Sequence, residues 1–215
     1  MRNLLRPLAA VLAIAGATWI VALHALPLFI MRVAISRIRS NGLVEARAAA
    51  QSSAGQADSP ATASRRMDPA RAALLLERDG WNVAMPAPPT TSESRTIVRP
   101  SPDLLYVACV YDLAHGPVLV RAPHAPTYLS LSAFAENTDN FFAVNDRGPG
   151  SENGLAMLLV PPGDSSGPPA AAAGATRVES PSLRGIVLAR LRVDHPGLLP
   201  ELVGLQSQVS CDPVR

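Results

Sequence analysis

Hydrophobic and polar positions divide the chain into three regimes. Residues 7–31 form one uncharged, largely apolar run, with Arg2 and Arg6 before it and Arg32, Arg37 and Arg39 after it. At about 1.5 Å of helical rise per residue the run is about 37 Å long, enough to cross a hydrocarbon core of about 30 Å with some tilt. It predicts a single membrane-spanning helix, with residues 1–39 as the anchor. A cleaved signal peptide is the competing reading, because Ala15-Gly16-Ala17 has the small-x-small pattern of a cleavage site. Cleavage there would leave only about seven apolar residues upstream and an equally apolar stretch beyond, so an uncleaved anchor accounts better for the pattern. His24 lies toward the end of the span, where a neutral imidazole can sit near the headgroups, and Pro27 lies where a kink leaves little backbone unsatisfied.

The second regime, residues 40–66, is rich in Ala, Ser, Gln and Gly and poor in large apolar side chains. Such a segment buries too little surface to offset its ordering entropy and reads as a flexible tether, whose first part, to about Ala50, could continue the helix as a frayed stalk. Asp68-Pro69 then supplies an N-cap followed by proline at the first helical position, and Gly80 supplies a stop, predicting a short helix over 69–79.

From Arg95 onward the period changes to two, and residues 67–215 read as one β-rich domain, an all-β sandwich or jelly-roll-like body with short flanking helices. Residues 104–111 are apolar on both faces, as a central strand would be. Residues 128–134 alternate Leu129, Leu131 and Ala133 against Ser130 and Ser132, predicting one wetter face. Residues 185–193 alternate Val187, Ala189, Leu191 and Val193 with Arg190 and Arg192. Shorter apolar runs at 118–120, 141–144 and 155–160 are bounded by turn formers. The stretch 161–174, with four prolines and an alanine tract, reads as a mobile loop, and residues 195–209, with Asp194 as a possible cap, predict a terminal helix.

Composition adds mostly exclusions. The net charge of +2 comes from arginines spread along a chain with no lysine and few aromatics, so neither a basic stripe nor a stacking platform for nucleic acid is present. Abundant Ala, Pro and Arg without Lys reads as the codon usage of a GC-rich bacterial genome. His115, His124 and His195 are far apart, no short His or Cys pair suggests zinc, and no Gly-x-Ser-x-Gly elbow or phosphate-cradling loop occurs. No cofactor is predicted.

Two polar blocks remain as candidate chemistry. Arg99-Pro100-Ser101-Pro102-Asp103 is a rigid turn entering the central strand; Arg99 and Asp103 could pair across it, with the Tyr106 hydroxyl nearby. A structural lock is the preferred account, a ligand site the alternative. The second block places Asn137, Asp139, Asn140, Asn145 and Asp146 around Phe141 and Phe142. Oxygen ligands at this density could bind calcium, but the spacing is not that of an EF-hand loop, and a run of Asx-turns has the same composition, so no metal is assigned. Cys109 on the central strand and Cys211 near the C-terminus could form one long-range disulfide; a buried apolar Cys109 and a free Cys211 is the preferred reading, because a pair alone says nothing about distance.

Residues 97–106, followed by Tyr111-Asp112-Leu113 and Gly116-Pro117-Val118, and then by residues 128–132 and 137–146, resemble the bacterial family called domain of unknown function 1254, in its short membrane-anchored form. The resemblance covers about residues 81–211. It implies a β-rich module that in larger relatives is the first half of an exported protein whose second half is the domain of unknown function 1214. It therefore implies a companion chain, but no catalytic residue. Orientation signals conflict: the arginines after the span would keep the domain in the cytoplasm, a bias that long domains can override, whereas the resemblance implies the periplasmic side of the inner membrane. The expectation is an anchored accessory module, in contact with the lipid bilayer and pairing with a companion, rather than an enzyme. The alternative is a small-ligand binder or hydrolase with a site around Arg99, Asp103, Tyr106 and residues 137–146.

Overall fold

The computed structural model describes residues 2–52, 67–90, 100–148 and 150–214. A long apolar helix, α1 (Arg2–Ser52), precedes a short one, α2 (Pro69–Glu77). Strands β1 (Ala84–Pro86), β2 (Leu104–Asp112), β3 (Val118–Ala122), β4 (Leu129–Ala135), β5 (Asn140–Asn145), β6 (Leu155–Val160), β7 (Thr176–Glu179) and β8 (Arg184–Arg192) follow. Helix α3 (Leu199–Gln208) and strand β9 (Ser210–Pro213) complete the domain. The strands form two sheets, β1-β2-β8-β4-β5 and β7-β6-β3-β9, antiparallel throughout except for the parallel β6–β7 pair.

Alternation builds the core. Leu105, Val107, Cys109 and Tyr111 of β2, Leu129, Leu131 and Ala133 of β4, and Val187, Ala189 and Leu191 of β8 point one way from the first sheet. They meet Val118, Val120, Met157, Leu159, Val178 and Cys211 of the second sheet in one shared core. Cys109 and Cys211 are joined by a disulfide, with Cα atoms 6.3 Å apart, so the preferred reading of two unbonded thiols does not hold. The distance was hidden because β9 was not predicted: it pairs with β3, placing Cys211 opposite Val120 and across the core from β2.

Residues 40–52 follow the helical alternative for this segment, but packed rather than frayed. They are not the start of a flexible tether: α1 runs unbroken to Ser52, and Met31, Ile35, Ala46 and Ala49 are buried against Ala72 and Leu75 of α2, Val83, Met85, and the outward-facing Val110 and Ile186. The small residues that suggested disorder are what allow close approach. A Cβ on Gly42 would lie 2.6 Å from Met85 Sδ, and alanine is the strongest helix former. The rest of the expected tether, residues 53–66, lies outside the described residues.

Local chemistry explains the smaller differences. Asp68 caps α2 as expected, accepting from the Ala70 N–H. Ser130 and Ser132 are buried instead of wet, because β4 is flanked by β8 and β5 and the Arg190 guanidinium donates to Ser132 Oγ at 3.2 Å. The 161–174 stretch contains a 3-10 turn, Ala170–Ala172, whose Ala172 packs on Leu119 and Leu158. His195, not Asp194, caps the turn before α3 by accepting from the Gly197 N–H, while Asp194 pairs with Arg192.

Gly185 marks the tightest point of the first sheet. A Cβ there would lie 2.1 Å from the Phe134 carbonyl oxygen and 2.4 Å from the Tyr111 hydroxyl. Gly185→Ala is expected to destabilise the domain by about 2–3 kcal/mol, the cost of overpacking a rigid backbone, read as a lower urea midpoint at unchanged slope. An unchanged midpoint would mean that β8 and β4 can part freely here.

Candidate functional site

The predicted turn block serves the backbone. Arg99 lies outside the described residues. The Ser101 N–H donates to the Tyr106 hydroxyl at 3.0 Å, and the Thr90 hydroxyl donates to the Ser101 carbonyl at 2.8 Å. Asp103 is exposed; its N–H points to Ser101 Oγ at 3.4 Å and its carbonyl accepts from the Val193 N–H at 2.8 Å. Gln206 of α3 reaches in and donates to the Ala87 and Tyr106 carbonyls, each at 2.8 Å. These bonds hold the entry to β2 against β8 and α3.

The Asn/Asp block is divided by its own strand. Asn137 and Asp139 form an Asx-type turn between β4 and β5, with Asn137 Nδ2 donating to Asp139 Oδ2 at 2.6 Å, and Asn140 pairs with Phe134. Asn145 and Asp146 lie at the other end of β5, about 17 Å away at about 3.4 Å per residue, too far to share an ion with Asp139. Asn145 Oδ1 accepts from the Arg147 N–H. The Asp146 side chain is 1% exposed, with Arg147 Nε 3.8 Å from its Oδ1, and that oxygen and the Thr127 hydroxyl are both buried without a hydrogen-bond partner. Among the described residues no group of three or more His, Cys, Asp or Glu is placed to hold a metal.

A shallow cleft of about 160 Å³ lies between α2, β1 and β9, lined by Asp68, Arg71, Leu74, Ser210 and Asp212 among others. Its polar groups are committed. Arg71 donates to the carbonyls of Ala84, Ser207 and Val209, tying α2 to the α3–β9 junction. Burial lowers its pKa, against smaller opposing effects of Asp68 and Asp212.

More organised chemistry occurs where α1 meets the sheet, and the sequence did not announce it. Arg32 Nε lies 3.4 Å from the Glu136 carboxylate, just beyond β4. Arg39 donates to the Asp79 carbonyl, pairs with its carboxylate, and lies over the Trp81 ring, 4.2 Å from its centroid, with Arg184 also over that ring at 5.1 Å. Arg184 is itself held by Asp112 at 2.9 Å. Behind this cluster the buried Tyr111 hydroxyl meets Ser180 Oγ at 3.0 Å and the Phe134 carbonyl at 3.2 Å, and burial raises its pKa. The nearest sequence signal was Trp81 directly after the helix-stop Gly80, a large aromatic outside any predicted strand.

The four sheet edges differ. β1 has three residues and ends in Pro86, β9 carries Asp212 and Pro213, and β7 carries Arg177 and Glu179, all devices that blunt an open edge. β5, Asn-Phe-Phe-Ala-Val-Asn, carries neither charge nor proline, and its Phe141, Phe142 and Val144 are only half-buried.

No curated protein matches the chain. Among solved structures it is similar to the VPA0106 protein from Vibrio parahaemolyticus, at 15% identity and a TM-score of 0.49, over 65% of this chain and 32% of that one. It is also similar to an uncharacterised protein from Burkholderia cenocepacia, at 15% identity and a TM-score of 0.42, over 75% of this chain and 46% of that one. The chain thus spans less than half the length of either. Residues 81–213 match the family described as Protein of unknown function (DUF1254), and the chain belongs to that family.

Proposed function

We propose that this chain is a membrane-anchored accessory module of the bacterial envelope, a sandwich-like β domain on the periplasmic side of the inner membrane that acts by pairing with a companion resembling the domain of unknown function 1214. The observation that carries the anchored reading is the continuity of α1. Its residues 10–26 are all exposed and apolar in character, and burial against the domain begins at Met31, where the apolar run ends. A helix exposed on all sides with mean hydropathy 1.9 over its best window suits lipid rather than water. The disulfide supports the periplasmic side, since such bonds persist in oxidising compartments. The companion rests on family membership; against the ligand-site alternative, Asp103 and Tyr106 lie at the entry to β2, whereas Asn137 and Asp146 lie at opposite ends of β5.

The test is to solubilise tagged full-length protein from its native membrane in mild detergent and identify stoichiometric partners by mass spectrometry. A single companion of that second family is the expected result. Recovery of the protein alone, after crosslinking as well as before it, would refute the pairing.

A further inference from the structure

We infer that β5 lies on the lipid surface, its outer edge, unpaired among the described residues, facing the phospholipid headgroups, so that the domain rests on the bilayer edge-on; this rests on the anchored reading above.

A row of paired residues crosses the first sheet. Val110 of β2 pairs with Ile186 of β8, Ile186 with Phe134 of β4, and Phe134 with Asn140 of β5. Val110, Ile186 and Phe134 all belong to the cluster beneath α1, together with Val83 and Met85 from the β1 side. A helix that touches one residue from each successive strand runs across the strands rather than along them.

Magnitudes agree. The first fixed point is Arg32 against Glu136, at the end of β4, and the second is Gly42 against Met85 of β1. Ten helical residues rise about 15 Å, and the three strand spacings from β4 to β1 span about 14 Å. The strands are therefore stacked along the helix axis like rungs, with β1 farthest from the span and β5 one rung below β4. One rung is worth about three helical residues, which puts β5 level with Phe29, inside the end of the apolar run.

This level accounts for the composition of the edge. A strand facing water with an open edge invites pairing with other chains and is normally blunted, as β1, β7 and β9 are. An edge covered by headgroups needs no such device, and its half-buried Phe141 and Phe142 suit the interfacial layer. The apolar run exceeds the hydrocarbon thickness by about 7 Å, so its last residues lie among headgroups, where water can satisfy the free N–H and C=O groups of β5. Nearby charges are compatible with that layer. Glu136 is paired with Arg32, Asp139 accepts from Asn137, and the exposed Arg147 at the far end of β5 can meet phosphate.

The test uses full-length protein in vesicles of phosphatidylethanolamine and phosphatidylglycerol. A nitroxide is placed singly at Ala143→Cys on β5, at Ile20→Cys near the middle of the span and at Glu77→Cys on α2; the native cysteines are bonded to each other and do not label. Accessibility to oxygen relative to a water-soluble nickel complex is read by power saturation. The expected result is a ratio at Ala143 several-fold above that at Glu77 and below that at Ile20. A label at Ala143 as water-exposed as that at Glu77, with Ile20 in lipid, overturns the lipid contact and leaves the edge open to a companion's strand while the anchor stands. A water-exposed Ile20 overturns the anchor and the inference together.

Discussion

Deleting residues 1–66 is expected to leave a domain that no longer unfolds cooperatively, binds a hydrophobic dye and aggregates, whereas a fragment beginning at residue 27 remains a folded unit. The shorter fragment, 67–215, matches the boundary that composition suggested, yet it would uncover Leu75, Val83, Met85, Val110 and Ile186, which α1 helps to bury. Burying a large aliphatic side chain is worth about 1.5–3 kcal/mol, so losing Met31 and Ile35 with their surroundings costs roughly 5 kcal/mol. A domain of this size is stable by only about 5–15 kcal/mol. The comparison is made by thermal unfolding and dye binding on both fragments in the same buffer. Equal midpoints would show that α1 merely lies against the domain and contributes nothing to its core.

Replacing both cysteines, Cys109→Ala and Cys211→Ala, is expected to lower stability by about 2–5 kcal/mol. The bond closes a loop of 102 residues in sequence separation, and for about 100 residues the loss of unfolded-chain entropy corresponds to about 4.7 kcal/mol, with native strain and residual structure tending to reduce it. It also pins β9, otherwise held by pairing with β3 as its one neighbouring strand and by the Arg78–Asp212 ion pair, so the C-terminal strand should become the first part to exchange its amide protons. Urea unfolding of full-length protein in detergent, with and without reductant, supplies the measurement. If the wild-type midpoint already equals that of the double variant without reductant and does not move when reductant is added, the bond is absent from the purified protein, and the support for the oxidising side goes with it.

Both predictions concern features that the linear pattern hid. The long apolar helix, the capped helix after Asp68 and the strands from β2 to β6 and β8 were legible because each rests on local rules: burial period, caps and turn formers. β1, β7 and β9 were not, because strands of three or four residues with proline or charge carry no periodic signal and exist only by pairing with a longer neighbour. The same limit applied to the candidate site. Asn137 and Asp146 are nine residues apart in sequence and read as one block, but an intervening extended strand separates them, whereas Arg32 and Glu136, 104 residues apart, meet. A polar-rich window cannot say whether its residues converge, since convergence depends on where the strand begins.

Taken alone, the sequence determined that the chain has one apolar span and a β-rich body of a recognisable family, because hydropathy over a long window and alternation over a strand are properties of neighbours. Only the tertiary structure decided that residues 40–52 belong to the folded domain, that Cys109 and Cys211 lie within bonding distance, and that β5 forms an edge of the first sheet. Small side chains such as Gly42, Ala46 and Ala49 look the same in a flexible linker and in a tight helix contact. What separates the two is whether an apolar surface lies opposite, here Met85, Leu75 and Val110, and that surface is assembled from segments the chain brings together only on folding.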